Sequence, residues 1–120
     1  MMKIICFPLF LFFILSCSSS TVTNKLPQST GWIDNDTYMV RVSGDTEQKA
    51  VENAKHRILK DIVDVRIRNK SRYTDIVKIK EEFDLPLRRG SITKKIMIPG
   101  GIDIIFQIRD TNLRNKFMKQ

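Results

Sequence analysis

Cysteine and histidine are scarce in this chain: two cysteines, Cys6 and Cys17, and one histidine, His56, among 120 residues. Beyond residue 17 no cysteine remains, so no disulfide can staple the rest of the sequence, and a Cys/His metal cluster or a familiar Ser–His–Asp relay lacks its parts. His56, within "AKHRILKD", reads as an ordinary helix residue. The acidic neighbours Glu81 and Glu82 point apart on a helix or a strand, which disfavours a cooperating carboxylate pair. The five glycines, Gly31, Gly44, Gly90, Gly100 and Gly101, fall at turns without phosphate-cradling spacing. No enzyme, cofactor or metal is therefore expected. A long apolar run is also missing. The longest, Ile4 to Leu15, contains Pro8 and falls short of the ~20 residues a membrane-crossing helix needs.

What the first residues do contain is "MMKIICFPLFLFFILSCSSS". One positive charge at Lys3 and a short apolar run, followed by a polar stretch, have the layout of an export signal. The junction "ILSC" (Ile14, Leu15, Ser16, Cys17) resembles the lipobox of bacterial lipoproteins, in a loose form like that of spirochaetes. The resemblance implies that the Cys17 thiol receives a diacylglycerol, that the chain is cut before it, and that the new amine is acylated. A deprotonated thiol at the edge of the apolar run suits that chemistry. Acylation would also remove the odd thiol from an oxidising compartment. The expected organisation is a signal peptide at 1–16, a lipidated cysteine and flexible tether at 17–31 ("CSSSTVTNKLPQSTG"), and one domain at 32–120.

Within 32–120 the hydrophobic period predicts a two-layer α+β domain of order β-α-α-β-β, with about three mostly antiparallel strands. In "TYMVRVSG", Tyr38, Val40 and Val42 share one strand face. In "DTEQKAVENAKHRILKDIVDVRI", Ala50, Val51, Ala54, Ile58, Ile62 and Val65 form the stripe of an amphipathic helix, with Asp45 and Gln48 spaced as a capping box. Residues 73–84 fit a helix through Tyr73, Ile76, Ile79 or Lys80, and Phe83, and a strand through Tyr73, Val77 and Ile79; the helix, ending before Pro86, is favoured. "SITKKIMI", the turn "PGG" at 99–101 and "IDIIFQIR" predict a hairpin, with Ile92, Ile96 and Ile98 on one face and Ile102, Ile104, Phe106 and Ile108 on the other strand's matching face. Met39, Met97 and Ile105 are left facing outward, for a partner or for a cover such as the tail with Leu113, Phe117 and Met118.

With its lipobox and tether, "GWIDNDTYMVRVSGDTEQKAVENAKHRIL" resembles the small envelope lipoproteins typified by the Helicobacter outer-membrane lipoprotein, whose domain is similar to the N-terminal domain of a flagellar assembly protein. "IDIIFQIRDTNLRNKF" resembles that group's last strand. The resemblance implies that Gly44, Ala50 and Ala54 let the long helix lie close on the sheet. It implies a fold and a compartment, with no shared catalytic residue.

Charge carries the remaining signal. The chain has a net charge of +8, and loss of Lys3 with the signal would leave 20 basic against 13 acidic residues, +7. Arg57 with Asp61, Lys60 with Asp64, and Asp64 with Arg68 have ion-pair spacing on a helix. Arg66, Arg68, Lys70 and Arg72 in "RIRNKSR", with Arg88, Arg89, Lys94 and Lys95, are less easily paired and are the candidate surface for an anionic ligand. Nucleic acid is not the expected partner of an exported chain. The expected partners are the membrane, through the anchor, and an envelope protein or anionic envelope component. Trp32 is expected to cover the sheet edge, with a binding surface as the alternative. The leading functional reading is a non-enzymatic, lipid-anchored module of the outer membrane; the alternative is a surface adhesin for host polyanions or matrix proteins.

Overall fold

A strand with one oily face and a helix with one oily stripe bury each other, and this pairing organises the domain. The computed structural model describes residues 30–120. Four strands, β1 (Gly31–Asp34), β2 (Thr37–Gly44), β3 (Ser91–Ile98) and β4 (Gly101–Arg109), form one antiparallel sheet in the order β1-β2-β4-β3. The long helix α1 (Glu47–Arg68) crosses it, followed by the short helices α2 (Ile76–Glu82) and α3 (Asp84–Arg88), and α4 (Leu113–Phe117) closes the chain. The α+β class is as predicted. The sheet has one strand more than expected, because "GWID" is too short to show a period, and its first residue, Gly31, lies in the stretch assigned to the tether.

The core lies between α1 and the sheet. Val40, Ala50, Ala54, Ile58, Ile62 and Ile104 are fully buried there. At its start α1 comes very close to β2: a Cβ added to Gly44 would stand 2.5 Å from the backbone nitrogen of Ala50, so only glycine fits without moving the backbone. The N-cap is Thr46, whose hydroxyl accepts from the Lys49 N–H at 3.1 Å. The N-cap thus lies one residue after the predicted Asp45, and with Lys49 at the third helical position the cap is not a reciprocal box.

The ambiguous segment is helical. Asp75 caps α2, its side chain accepting from the Val77 N–H at 2.9 Å, and the helix ends at Glu82. Pro86 does not end the helical region, however. It occupies the first turn of α3, where the N–H it lacks has no helical acceptor anyway.

Two expectations about faces are corrected. In β3 a bulge between Ile92 and Lys94 shifts the alternation: Ile92 opposes Phe106 on the helix side, whereas Lys94 opposes Ile105 and Ile96 opposes Asp103 on the open side. The three isoleucines therefore do not share a face, and Lys95 turns toward the helix layer, where its ammonium meets Glu47 at the start of α1 at 2.9 Å. On the open face Ile105 is only 2% exposed. It stands opposite Arg41, which reaches diagonally to Asp103 at 2.7 Å. Met97 is 75% exposed and opposes Ile102 on the helix side. The tail does not cover the open face, since Leu113 and Phe117 enter the main core and Phe117 packs edge-on against Trp32 at 4.7 Å and Phe83 at 5.7 Å.

Tyr38 links the layers: its hydroxyl donates to Asp61 at 2.6 Å. Burial pushes its pKa well above the ordinary phenol value, and the hydrogen bond to the Asp61 carboxylate adds to the rise. A raised acid favours the neutral form in the folded state. That stabilisation is complete below the unfolded phenol value near 10 and is lost as pH rises toward the folded one. Tyr38→Phe keeps the ring packing and is expected to lower stability by about 1 kcal/mol. It should also remove the latest-titrating phenol from a 295 nm absorbance titration. An unchanged alkaline limb would show that another group titrates there.

Candidate anionic-ligand surface

The eight candidate cations do not form one surface. Arg66 does not reach solvent at all, with 0% exposure. It stands four residues after Ile62, which stands four after Ile58, so the core stripe carries it inward. Its Nη1 and Nη2 donate to the Glu82 carboxylate at 3.2 and 3.1 Å, and the remaining N–H groups donate to the carbonyls of Tyr73, Lys116 and Phe117. All five donors are filled by the protein. Arg66 therefore leaves the ligand set and becomes the clasp that joins α1, the following loop, α2 and α4.

Arg68, Lys70 and Arg72 are exposed where α1 ends. The end is a Schellman-type turn, with the Ser71 N–H donating to the Arg66 carbonyl at 2.9 Å and Lys70, at φ 56°, taking the position glycine usually fills. Arg88 pairs with Asp84 one turn earlier. Arg89 contributes a favourable field to Asp110, whose carboxyl is held below its usual pKa chiefly by a hydrogen bond from Lys116. Lys94 lies on the open sheet face, and Lys95 pairs with Glu47. Glu47 and Arg68 are the first and last residues of α1, about 30 Å apart at the helical rise. Arg68 and Lys95 thus stand at opposite ends of the domain, and the expected single patch is broken up. Of the spaced helix pairs, Arg57–Asp61 closes, at 3.2 Å.

The cations near the end of α1 gain two partners that sequence spacing did not reveal, Arg114 and Lys119, brought there by the return of the tail. Between α1, β1 and α4 lies a cleft of about 250 Å³ lined by Trp32, Val65, Arg68, Asn69, Arg114, Phe117 and Met118. Its apolar walls come from the core edge. Its charges are Arg68 and Arg114, with no carboxylate in the lining, and among the described residues neither guanidinium has an acidic partner within 4 Å. The Arg114 guanidinium stands 5.7 Å from the centre of the Trp32 ring. Trp32 covers the sheet edge, its ring 4.7 Å from that of Tyr38, and it also lines the cleft. A larger hollow of about 710 Å³ adjoins Arg72, Tyr73, Lys78 and Lys119, but Asp75, Glu81 and Glu82 also line it, so its sign is mixed. The Trp32 cleft, lined by cations without carboxylates, is therefore the better candidate for an anion.

Among the described residues no group of three His, Cys, Asp or Glu side chains is arranged to hold a metal ion. No described helix is long and apolar enough to cross a membrane. His56 lies exposed on α1, bordering a shallow hollow with Leu59, Lys60 and Lys80. The signal and Cys17 lie outside the described residues. Comparison with protein-family models, with curated proteins and with solved structures gave no match.

Proposed function

We propose that this protein is a lipid-anchored component of the bacterial outer membrane whose domain acts by binding and not by catalysis. The reading combines the "ILSC" junction at Cys17 with the cleft beside Trp32, and the cleft carries the functional half. Two unpaired guanidiniums over apolar walls form a recognition surface for an anion, and Trp32 is the second residue of the first strand, next to where the tether would join. The polar groups inside the domain are meanwhile committed to one another. Every buried side-chain nitrogen and oxygen among the described residues has a hydrogen-bond partner, as expected of groups that hold a fold together.

The test is topology. With a tag after Gln120, protease added to intact cells is expected to leave the protein whole, and outer-membrane disruption should expose it. Digestion on intact cells would instead place the domain outside and favour an adhesin for host polyanions or matrix proteins.

A further inference from the structure

We infer that the Trp32–Arg68–Arg114 cleft holds the phosphate-bearing headgroup of an anionic phospholipid in the membrane that carries the anchor. This rests on the lipid-anchored reading and names the ligand of the same site. Three features converge on that ligand. First, guanidinium is the side-chain group best matched to phosphate, because its planar N–H fork can bond two oxygens at once, and two such groups flank the cleft without competing carboxylates. The Asn69 amide adds a neutral donor. Second, apolar side chains line the cleft: Trp32, Val65 and Met118, backed by the buried Phe117 ring, offer a glycerol backbone and its first methylenes a surface that a free phosphate would not use. Tryptophan, with an oily body and one polar N–H, favours the boundary between headgroups and acyl chains. Third, location restricts the partner. Fourteen residues separate Cys17 from Trp32, and a chain of that length reaches at most about 50 Å even when fully extended. An acyl anchor would hold this end of the domain nearer the bilayer than the end carrying Lys49 and Lys95. Lys70 and Lys119, next in sequence to Asn69 and Met118 and exposed, add positive charge beside the cleft.

Trp32 is the chain's single tryptophan, so intrinsic fluorescence reports on the cleft itself. The full-length acylated protein is mixed with phosphatidylcholine vesicles bearing brominated acyl chains, with and without phosphatidylglycerol. It is expected to float with both through the anchor, but Trp32 should be quenched and blue-shifted mainly when phosphatidylglycerol is present, and the effect should weaken as salt is raised. Arg68→Gln/Arg114→Gln should still float and should lose that difference. In Cys17→Ala protein made without residues 1–16, which has neither the apolar signal nor the acyl chains, the same two substitutions should weaken binding to the anionic vesicles roughly thirtyfold, the worth of two cations at such a surface. Lys49→Gln/Lys95→Gln at the far end should leave the quenching unchanged.

Equal quenching on both vesicle types, or quenching untouched by loss of the two arginines, would overturn the inference. So would saturation of the cleft by inorganic phosphate or glycerol phosphate at vesicle-like affinity, which would make it a site for a soluble anion. Stronger competition by polyglutamate than by vesicles would make it an acidic-protein site. Failure of the wild type to float on phosphatidylcholine vesicles would reject the anchor alone, because the Cys17→Ala titration still measures the cleft.

Discussion

Replacing Arg66 by alanine is expected to destabilise the domain by about 3–5 kcal/mol, the cost of emptying a fully buried guanidinium site, breaking its pair with a Glu82 side chain that is 32% exposed, and leaving three carbonyls without their donors. Small domains are stable by only ~5–15 kcal/mol, so this one change would remove a large share of the total. An exposed arginine would behave differently, since surface pairs contribute at most about 1 kcal/mol. The difference comes from where the five donors go. Without them the Glu82 carboxylate loses its bidentate partner, and the carbonyls of Tyr73, Lys116 and Phe117 lose theirs. Urea denaturation of the variant should show the midpoint fall with little change in slope. A loss of less than about 1 kcal/mol would mean that Arg66 behaves as a surface charge.

The effect should also be local before it is global. Phe117 packs against Trp32, Tyr38 and Phe83, and its carbonyl is held by Arg66, so hydrogen exchange in α4 should quicken first in Arg66→Lys, which keeps the charge but has three donors instead of five. Arg66→Met with Glu82→Leu should recover part of the loss, because removing both charges removes the uncompensated carboxylate. If the double variant were as unstable as Arg66→Ala, the carbonyl contacts and not the ion pair would dominate the site.

The long helix was legible in sequence because its apolar stripe repeats over many turns, and the hairpin because "PGG" separates two alternating runs. Other features were hidden for specific reasons. The strand Gly31–Asp34 has four residues, and alternation cannot be recognised over so short a span. The β3 bulge inserts one residue, and with a period of two a single insertion sends every later side chain to the opposite face, as Ile96 and Lys95 show. Arg66 was placed at the surface by its charge, although its spacing from Ile58 and Ile62 pointed to the core; position decided its burial and Glu82 made that tolerable. The candidate site was half legible. Arg68 and Trp32 stand out in the sequence, but Arg114 meets Trp32 only because the tail turns back through α4, and no local pattern encodes a contact between residues so distant in sequence.

The anchor is the premise on which the proposed function depends, and its chemistry is all-or-none. A single acyl chain holds a protein only marginally at a membrane, whereas two or more make attachment lasting. Loss of the Cys17 thiol should therefore remove the lasting attachment, since the binding proposed for the Trp32 cleft is sensitive to salt. The most direct measurement is incorporation of labelled palmitate into wild type and Cys17→Ala in the same cells, with the mass of the mature protein determined alongside. Label in the wild type alone, on a chain that begins at an acylated Cys17, is the predicted result. Equal label in both proteins, or a mature chain beginning elsewhere, would contradict it.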